Sequence, residues 1–302
     1  EFNLVTFNGR SMPTQGGRSF DFADIASTGV SAVEVVKSGN ASLPTGGIGA
    51  TVNIITPKPL ENPGMRGALV GKAVHETSAS KGNLGGLDKY TPEIAGIYSN
   101  TFADDTFGIA ITGSHEKRDN REEFAAVASW IPNYGLDGGT VSNNNQRADG
   151  VWWHPQDAGY GFADISRTRT NGQVTLQWQP SSRIRATVDY TYSELDFEAD
   201  RNSFGVWFAN PNVSATVNER GTVTDVRQVG GDYAINVARD HTIKTNESIG
   251  FNVEFQATEN LNFTFDAHDS TSKLKGGGLG DGTPGSSANL IVGNTFCDWC
   301  GS

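Results

Sequence analysis

Histidine titrates near neutral pH and is the commonest metal ligand, so the spacing of the histidines is the first indication of chemistry in a sequence. None of the five lies in a metalloprotease motif or a nucleophile elbow. Strand parity also separates two of them, because His268 shares a predicted face with Asp266 whereas His115 shares one with Ile111. The positions are His75, His115, His154, His241 and His268. We therefore expect no enzyme, no metal and no cofactor, and favour this over a convergent histidine site.

Two cysteines form a C-x-x-C motif close to the end of the sequence. Cys297 and Cys300 have no second pair with which to bind zinc, and no βαβ pattern surrounds them as in a thioredoxin-like protein. In an oxidising compartment the two sulfurs are expected to close a tight disulfide loop that presents Trp299.

Aromatic residues concentrate in two long segments, at about 119–165 and 198–240, which we predict to be loops. Their rings can stack on the apolar faces of sugars, while neighbouring Asp, Asn and Gln side chains bond hydroxyl groups. The alternative is that several of them pack within the loops or lie at a membrane interface. The predicted substrate-binding residues from these segments are Trp130, Tyr134, Trp152, Trp153, Trp207 and Phe208.

Composition limits the class of protein. The formal net charge of -11 argues against nucleic-acid binding, because there is no basic stripe to displace counterions from phosphates. With 37 glycines and 36% hydrophobic residues, the chain is typical of a β-rich, turn-rich fold. No apolar run is long enough to form a membrane-spanning helix, although a barrel needs lipid-facing residues only at alternate positions.

Period-two alternation of polar and apolar residues predicts antiparallel strands. Tight turns are expected near 103–105, 180–182 and 258–260, and the opposite strand ends are joined by the two long segments. Short turns on one side and long loops on the other are typical of outer-membrane barrels, whereas a soluble β-sandwich or lipocalin-like barrel is the alternative. The predicted strands are 66–76, 91–102, 105–118, 168–179, 183–197, 243–257 and 261–272.

A glycine-rich unit near the beginning is the most specific motif. The run VEVV at 33–36 and the run TVNII at 51–55 predict two strands, and the prolines that follow end the unit. Upstream, NLVTFNGR at 3–10 predicts a strand that ends in an Asn-Gly-Arg turn, and RSFDFADIAS at 18–27 predicts a short helix. The motif residues are Asn8, Gly9, Arg10, Gly46, Gly47, Gly49 and Asn53.

This pattern resembles the plug-to-barrel region of TonB-dependent outer-membrane receptors, and is closest to the Caulobacter and Xanthomonas type. The resemblance covers about residues 3 to 60. It implies a mainly β fragment with two parts: 1–62 as the C-terminal part of a small α+β plug, and 63–302 as the first part of a transmembrane antiparallel β-barrel with long extracellular loops. A plugged barrel has about 22 strands, so the seven strands predicted here would be roughly its first third.

The resemblance also implies a function and partners. It predicts active transport of a solute across the bacterial outer membrane, with outer-membrane lipid around the barrel and the TonB–ExbB–ExbD complex engaging a missing N-terminal segment. An oligosaccharide is the expected solute, a ferric siderophore is the alternative, and a soluble secreted carbohydrate-binding β-domain is the second alternative. Gln15 and Arg18 are expected at plug apices that touch substrate. Arg10 is expected to pair with acidic residues of the barrel lumen, where Asp189, Glu254 and Asp266 are predicted.

Overall fold

The structure, a computed structural model, contains two β-sheets and three short 3₁₀ turns in the residues that it describes. The described residues are 3–11, 27–37, 49–81, 86–132, 140–143, 145–208, 212–277 and 285–300. Within these ranges the structure describes the backbone but not the side chains of residues 80–81, 140, 143, 212–213, 228–231, 289 and 292–300. The predicted helix at 18–27 falls almost entirely outside these ranges. Within them, no helix has the length and apolar content needed to cross a membrane.

The small sheet consists of four short strands in the order β2-β1-β4-β3. Strands β1 and β4 are parallel, and the other two pairs are antiparallel. β-Branched residues favour this extended backbone, and Phe7 and Ile54 form its buried core with Val5 and Val30 packed against them. The strands are β1 (Asn3–Phe7), β2 (Arg10–Ser11), β3 (Ala32–Val36) and β4 (Ala50–Ile55).

The large sheet contains ten strands, and its main order is β5-β6-β7-β9-β10-β12. All of its pairings are antiparallel except that between β8 and β11. The strands are β5 (Arg66–His75), β6 (Tyr90–Phe102), β7 (Phe107–Pro132), β8 (Thr140–Asn143), β9 (Trp153–Ser181), β10 (Ile184–Trp207), β11 (Asn212–Val217), β12 (Val223–Thr258), β13 (Leu261–Gly276) and β14 (Gly285–Cys300). The seven strands predicted from the alternation are all present, and tight turns join β6 to β7, β9 to β10 and β12 to β13.

The two segments predicted to be loops are instead largely strand. Pairing between β10 and β12 continues without a break from Ile184↔Phe255 to Trp207↔Asp232. Strands β7 and β9 likewise remain paired as far as Pro132↔Trp153. Their backbone groups bond to one another, so the polar composition of these segments does not require a loop.

The large sheet is open in the described ranges. Strand β5 forms one edge, while β12 pairs with β13 along Thr242–Thr258 and with β14 along Asp225–Asp240. No pairing joins β5 to β13 or to β14 among the residues described. The fold is therefore nearly all β and barrel-like, without closure within the described part.

The two faces of the large sheet have an inverted polarity. We call the face that touches the small sheet the inner face and the opposite one the outer face. Buried polar side chains of the inner face are Thr112, Gln173, Thr175, Gln177, Thr187, Asp189, Thr191 and Ser193. Exposed apolar side chains of the outer face are Ile111, Trp178, Val188, Tyr190, Ile249, Phe251, Phe255, Phe263 and Phe265. This arrangement is the reverse of that in a soluble sheet, which normally buries its apolar face.

Candidate functional site

Arg10 anchors the small sheet to the large one. Its Nη1 donates to both carboxylate oxygens of Asp189 at 2.9 and 2.8 Å, and its Nε and Nη2 donate to Asp266 at 2.8 and 2.9 Å. The arginine side chain is 6% exposed, as against 9% for Asp189 and 34% for Asp266. Because a planar guanidinium matches carboxylate geometry, these charge-assisted bonds fix both the distance and the orientation of the two sheets.

The turn before Arg10 determines where its guanidinium points. Asn8 and Gly9 both have positive φ, at 51° and 82°, a conformation that Asn and Gly adopt most readily. The Oδ1 of Asn53 accepts from the backbone N–H of Gly9 at 2.8 Å and from Thr6 Oγ1 at 3.0 Å. Asn53, one of the predicted motif residues, therefore ties the turn at Asn8 and Gly9 to strand β4 through these hydrogen bonds.

A glycine of the large sheet leaves space for the Arg10 side chain. A Cβ added at Gly250 on β12 would overlap the Arg10 guanidinium, so a side chain there would displace it. Burial lowers the pKa of Arg10, but its hydrogen bonds to Asp266 and Asp189 and their negative charges raise it further, so the net pKa lies above its ordinary value. The guanidinium is therefore charged at any physiological pH. The ion pairs with Asp189 and Asp266 agree with the prediction, and Glu254 lines the same cavity of about 70 Å³.

A second contact between the sheets consists of packing. The 3₁₀ turn Pro59–Glu61 lies against Gly108 on β7, where an added Cβ would come within 2.9 Å of the proline ring. The backbone N–H of Leu60 donates to Gln177 Oε1 at 2.9 Å, and Gln177 Nε2 donates to Thr187 Oγ1 at 3.2 Å. The Pro59–Glu61 turn and strand β7 are thus in such close contact at Gly108 that no side chain fits between them.

Farther along the inner face, beyond the small sheet, lies a cavity of about 590 Å³ that we call the distal cavity. Strands β7, β9, β10, β12 and β14 contribute to it. Its apolar lining includes Phe124, Trp207 and Ile291, and its polar side chains are Asp157, Ser203, Asp232 and Asn236. Gly159 and Gly205 are paired across β9 and β10 and keep the floor of the cavity free of side chains.

The chemistry of the distal cavity favours neutral ligands rich in hydroxyl groups. Aromatic faces offer apolar contact, and carboxylate and amide groups accept hydrogen bonds from hydroxyls. No Lys, Arg or His lies among the described residues that line it. Across the residues described, no group of three or more His, Cys, Asp or Glu side chains is placed to hold a metal ion.

Among the predicted substrate-binding residues that the structure describes, Trp207 alone lines the distal cavity. Trp130 and Trp153, which are 41% and 37% exposed, lie at the paired ends of β7 and β9 and do not line it. Gln15, Arg18 and Tyr134 lie outside the described residues, and so do Gly46 and Gly47 of the motif. Gly49 is exposed next to β4.

Two other predicted residues belong to an apolar cluster. Phe208 is 2% exposed and packs with Ala215, Val217, Val223 and Val226, and Trp152 lies against this cluster. The ring of Phe208 is thus enclosed by protein, so we leave Phe208 out of the candidate site. Its cluster joins the start of β12 to β11 and so stabilises the end of the sheet that holds the distal cavity.

Several residues of the distal cavity escaped the sequence analysis. They are Phe124, Asp157, Ser203, Asp232, Asn236 and Ile291. The signal that identifies them is the alternation itself: the inner-face parity of Thr112 continues to Phe124, and that of Asp189 continues to Ser203. Assigning these stretches to loops removed that signal.

The predicted Cys297–Cys300 disulfide falls on strand β14. Residues three apart in an extended strand have Cα atoms about 10 Å apart, whereas a disulfide needs Cα atoms within roughly 7 Å. The bridge stays a prediction, and it requires the end of β14 to bend.

Comparisons with known proteins add little to this geometry. No protein-family model matches the sequence, and no curated protein matches it. Among solved structures, the siderophore receptor PiuA from Acinetobacter baumannii is similar over 90% of this chain and 54% of its own, with 9% sequence identity and a TM-score of 0.29. This chain thus spans about half the length of that receptor, and a likeness at this level carries no argument about ligand or mechanism.

Proposed function

We propose that this chain is part of a TonB-dependent outer-membrane receptor that binds a solute in the distal cavity and imports it past the small sheet. In this proposal residues 1–62 belong to the plug and residues 63–302 to the barrel. The observation that carries it is the inverted polarity of the large sheet. An apolar outer face suits contact with lipid, and a polar inner face suits a water-filled lumen that holds a plug.

The extent of the apolar outer face supports a transmembrane placement. On β10 it runs from Ile184 to Tyr192, which matches the roughly 9–11 residues that a tilted strand needs to cross hydrocarbon. The same face then carries charge, at Glu194, Asp196 and Glu198. The strands therefore leave the bilayer near Tyr192, and the distal cavity lies on the external side.

An oligosaccharide is our preferred ligand class for this cavity. Phe124 and Trp207 offer rings for sugar stacking, and Asp157, Asp232 and Asn236 accept hydrogen bonds from hydroxyl groups. The two carboxylates disfavour an anionic chelate, since no basic residue among the described lining offsets them.

A ferric siderophore is the second candidate. It is the ligand class named for the solved structure compared above. The aromatic lining of the cavity is compatible with it as well. The third candidate, a soluble secreted carbohydrate-binding domain, would have to leave the apolar outer face of the large sheet in water.

Binding to full-length receptor in detergent tests the ligand class. Maltodextrins, chitin oligosaccharides and ferric chelates are titrated while tryptophan fluorescence is recorded. Trp207→Ala is expected to weaken sugar binding at least about tenfold, the effect of losing one aromatic ring that stacks on the ligand. The matched control is Trp130→Ala, which removes an exposed tryptophan outside the cavity and is expected to leave affinity unchanged.

The charge of the cavity separates the two transport candidates. Asp157→Asn with Asp232→Asn is expected to weaken sugar binding by replacing charged acceptors with weaker neutral ones, and to strengthen binding of an anionic ferric chelate by removing repulsion. Saturable binding of chelates alone would favour the siderophore. Recovery of the full-length protein in the aqueous phase without detergent would instead reject the outer-membrane assignment.

A further inference from the structure

We propose that the solute passes between the small sheet and the wall formed by β10, β12 and β13, and that Arg10 closes this passage in the resting protein. The inference rests on the proposed function and adds a route and a closing residue to it. It follows from the unequal way in which the small sheet meets the two sides of the described wall.

On the β7 and β9 side, the junction is packed. Pro59 is among the fully buried residues, and Leu60 is 9% exposed. An added Cβ at Gly108 would lie 2.9 Å from the Pro59 ring and 3.1 Å from Leu60 Cδ2. Separating these surfaces would expose apolar area to water and break the bond from the Leu60 N–H to Gln177.

On the β10, β12 and β13 side, the junction is polar and contains space. The cavity of about 70 Å³ around Arg10 is lined by the side chains of Thr175, Thr187, Asn252 and Glu254 as well as by the arginine and its partners. Charged groups that separate here are rehydrated within a polar lumen. The ionic side is therefore the side on which separation opens a path for water and polar solutes.

Cavities also follow one another along the inner face of β12. The distal cavity includes Asp232 and Asn236, a cavity of about 500 Å³ includes Asp240 and Thr242, and the cavity around Arg10 includes Asn252 and Glu254. A fourth cavity, of about 200 Å³, shares Glu254 and reaches Ser182 at the short turn after β9. Their order along the strand leads from the proposed binding site to the side of the short turns.

The lining of the last section suits a hydroxyl-rich solute. Gln179, Gln256, Asn262 and Thr264 offer amide and hydroxyl groups that donate and accept hydrogen bonds, and Arg183, Arg185 and Glu254 add charged donors and acceptors. All of these groups can exchange hydrogen bonds with the hydroxyl groups of a passing solute. The Arg10 guanidinium, bonded to β10 and β13 at once, stands between this section and the external side.

Thiol labelling tests the passage without knowledge of the ligand. In full-length receptor with Cys297→Ser and Cys300→Ser, single cysteines are placed at Thr264, on the short-turn side of Arg10, and at Thr112, on the packed side. De-energised cells are treated with a membrane-impermeant maleimide. Both positions lie on the inner face, but Thr112 is 5% exposed whereas Thr264 is exposed, so the labelling rate of each cysteine is compared with that of the same cysteine beside native Arg10.

Arg10→Gln is expected to raise the labelling rate of Thr264→Cys at least about tenfold and to leave that of Thr112→Cys unchanged. Arg10→Lys, which keeps the charge but loses the planar fork, is expected to give an intermediate rate. If Thr264→Cys does not assemble, Asn262→Cys on the same face gives the same readout. Equal increases at both positions, or no increase at either, overturn the passage.

The location of the protein in the cell distinguishes a failure of the proposed function from a failure of the proposed route. Absence of the native receptor from the outer-membrane fraction contradicts the proposed function. Presence there, together with a larger increase at Thr112→Cys than at Thr264→Cys, contradicts only the route. The packed-side variant Gly108→Ala serves as a control for general loosening, and it is expected to leave the labelling rate of Thr264→Cys unchanged.

Discussion

The small sheet has an apolar core, whereas the inner face of the large sheet buries mainly polar side chains where the small sheet docks. The small sheet follows the usual pattern, with Phe7 and Ile54 at 4% and 2% exposure. In the large sheet Gln177 is 1% exposed, whereas Trp178, the next residue, is 54% exposed. The same chain thus folds one sheet by removing apolar groups from water and another by satisfying polar groups within the protein. The two sheets are therefore built for different surroundings, which under the proposed function are water for the small sheet and lipid for the outer face of the large one.

Arg10 joins the small sheet to the polar inner face of the large sheet. Its substitution is expected to have the largest effect on the docking of the two sheets. Arg10→Leu leaves Asp189 and Asp266 as neighbouring carboxylates without their cation. We expect the docking of the small sheet to weaken by about 3–5 kcal/mol, the usual result of breaking a buried pair. Protease sensitivity of the small sheet during urea titration measures it.

The matched control is the ion pair between Lys58 and Glu61, whose atoms lie 3.6 Å apart and whose side chains are 34% and 48% exposed. Lys58→Leu is expected to change docking by less than about 1 kcal/mol, since water screens such pairs. A comparable loss in both variants would contradict the anchoring role of Arg10.

The second prediction contrasts the apolar residues of the two sheets. Ile54→Ala is expected to destabilise the small sheet by about 2–5 kcal/mol because it leaves a cavity in a closed core. Phe263→Ala, at a side chain that is 55% exposed on the outer face, is expected to cost less than half as much in detergent. Hydrogen exchange of the two sheets in one sample compares these changes. A larger effect at Phe263 would mean that the outer face is covered by protein.

The third prediction concerns lipid. Phe265→Arg on the outer face is expected to reduce the free energy of folding into lipid vesicles by about 2–4 kcal/mol, the cost of arginine near the centre of a bilayer. Thr264→Arg, one residue away on the inner face, is expected to change it far less. Urea titration of the vesicle-inserted full-length receptor provides the measurement. Equal costs would remove the distinction between the two faces.

The smallest expected effect concerns the packed side of the junction. Gly108→Ala places a methyl group against Pro59 and is expected to cost about 1–3 kcal/mol through overpacking. Gly172→Ala is the control, because a Cβ there meets no atom within 4 Å. Thermal unfolding followed by fluorescence compares the two variants. A neutral Gly108→Ala would show that the turn at Pro59 moves freely.

Local pattern accounts for much of the fold. Alternation predicted the seven strands because each has one polar and one apolar face, and short stretches that contain Asp, Pro or Asn predicted the tight turns. These inferences need only a few neighbouring residues. The Arg10 pairs needed the resemblance as well, because it places the Asn-Gly-Arg turn inside a lumen, and parity then puts Asp189 and Asp266 on the lumen side of their strands.

The distal cavity was not predictable in the same way. Five strands contribute to it, so its lining depends on the register between segments as distant as Phe124 and Ile291. The pairing of β14 with the upper half of β12 is equally nonlocal. Phe208 was predicted to bind substrate because it is an aromatic residue in a segment rich in aromatics. Its burial depends on Val217 and Val223, which contact it only when β11 and β12 are paired.

Strand β12 extends over 36 residues and contacts both the distal cavity and the surroundings of Arg10. Because side chains alternate along an extended chain, a single inserted residue between Asp240 and Thr245 would exchange the two faces of one half relative to the other. Either the β12 residues of the distal cavity or those around Arg10 would then lie on the outer face. Insertions and deletions in this strand must therefore occur in even numbers, or be absorbed by a β-bulge, during the divergence of related sequences.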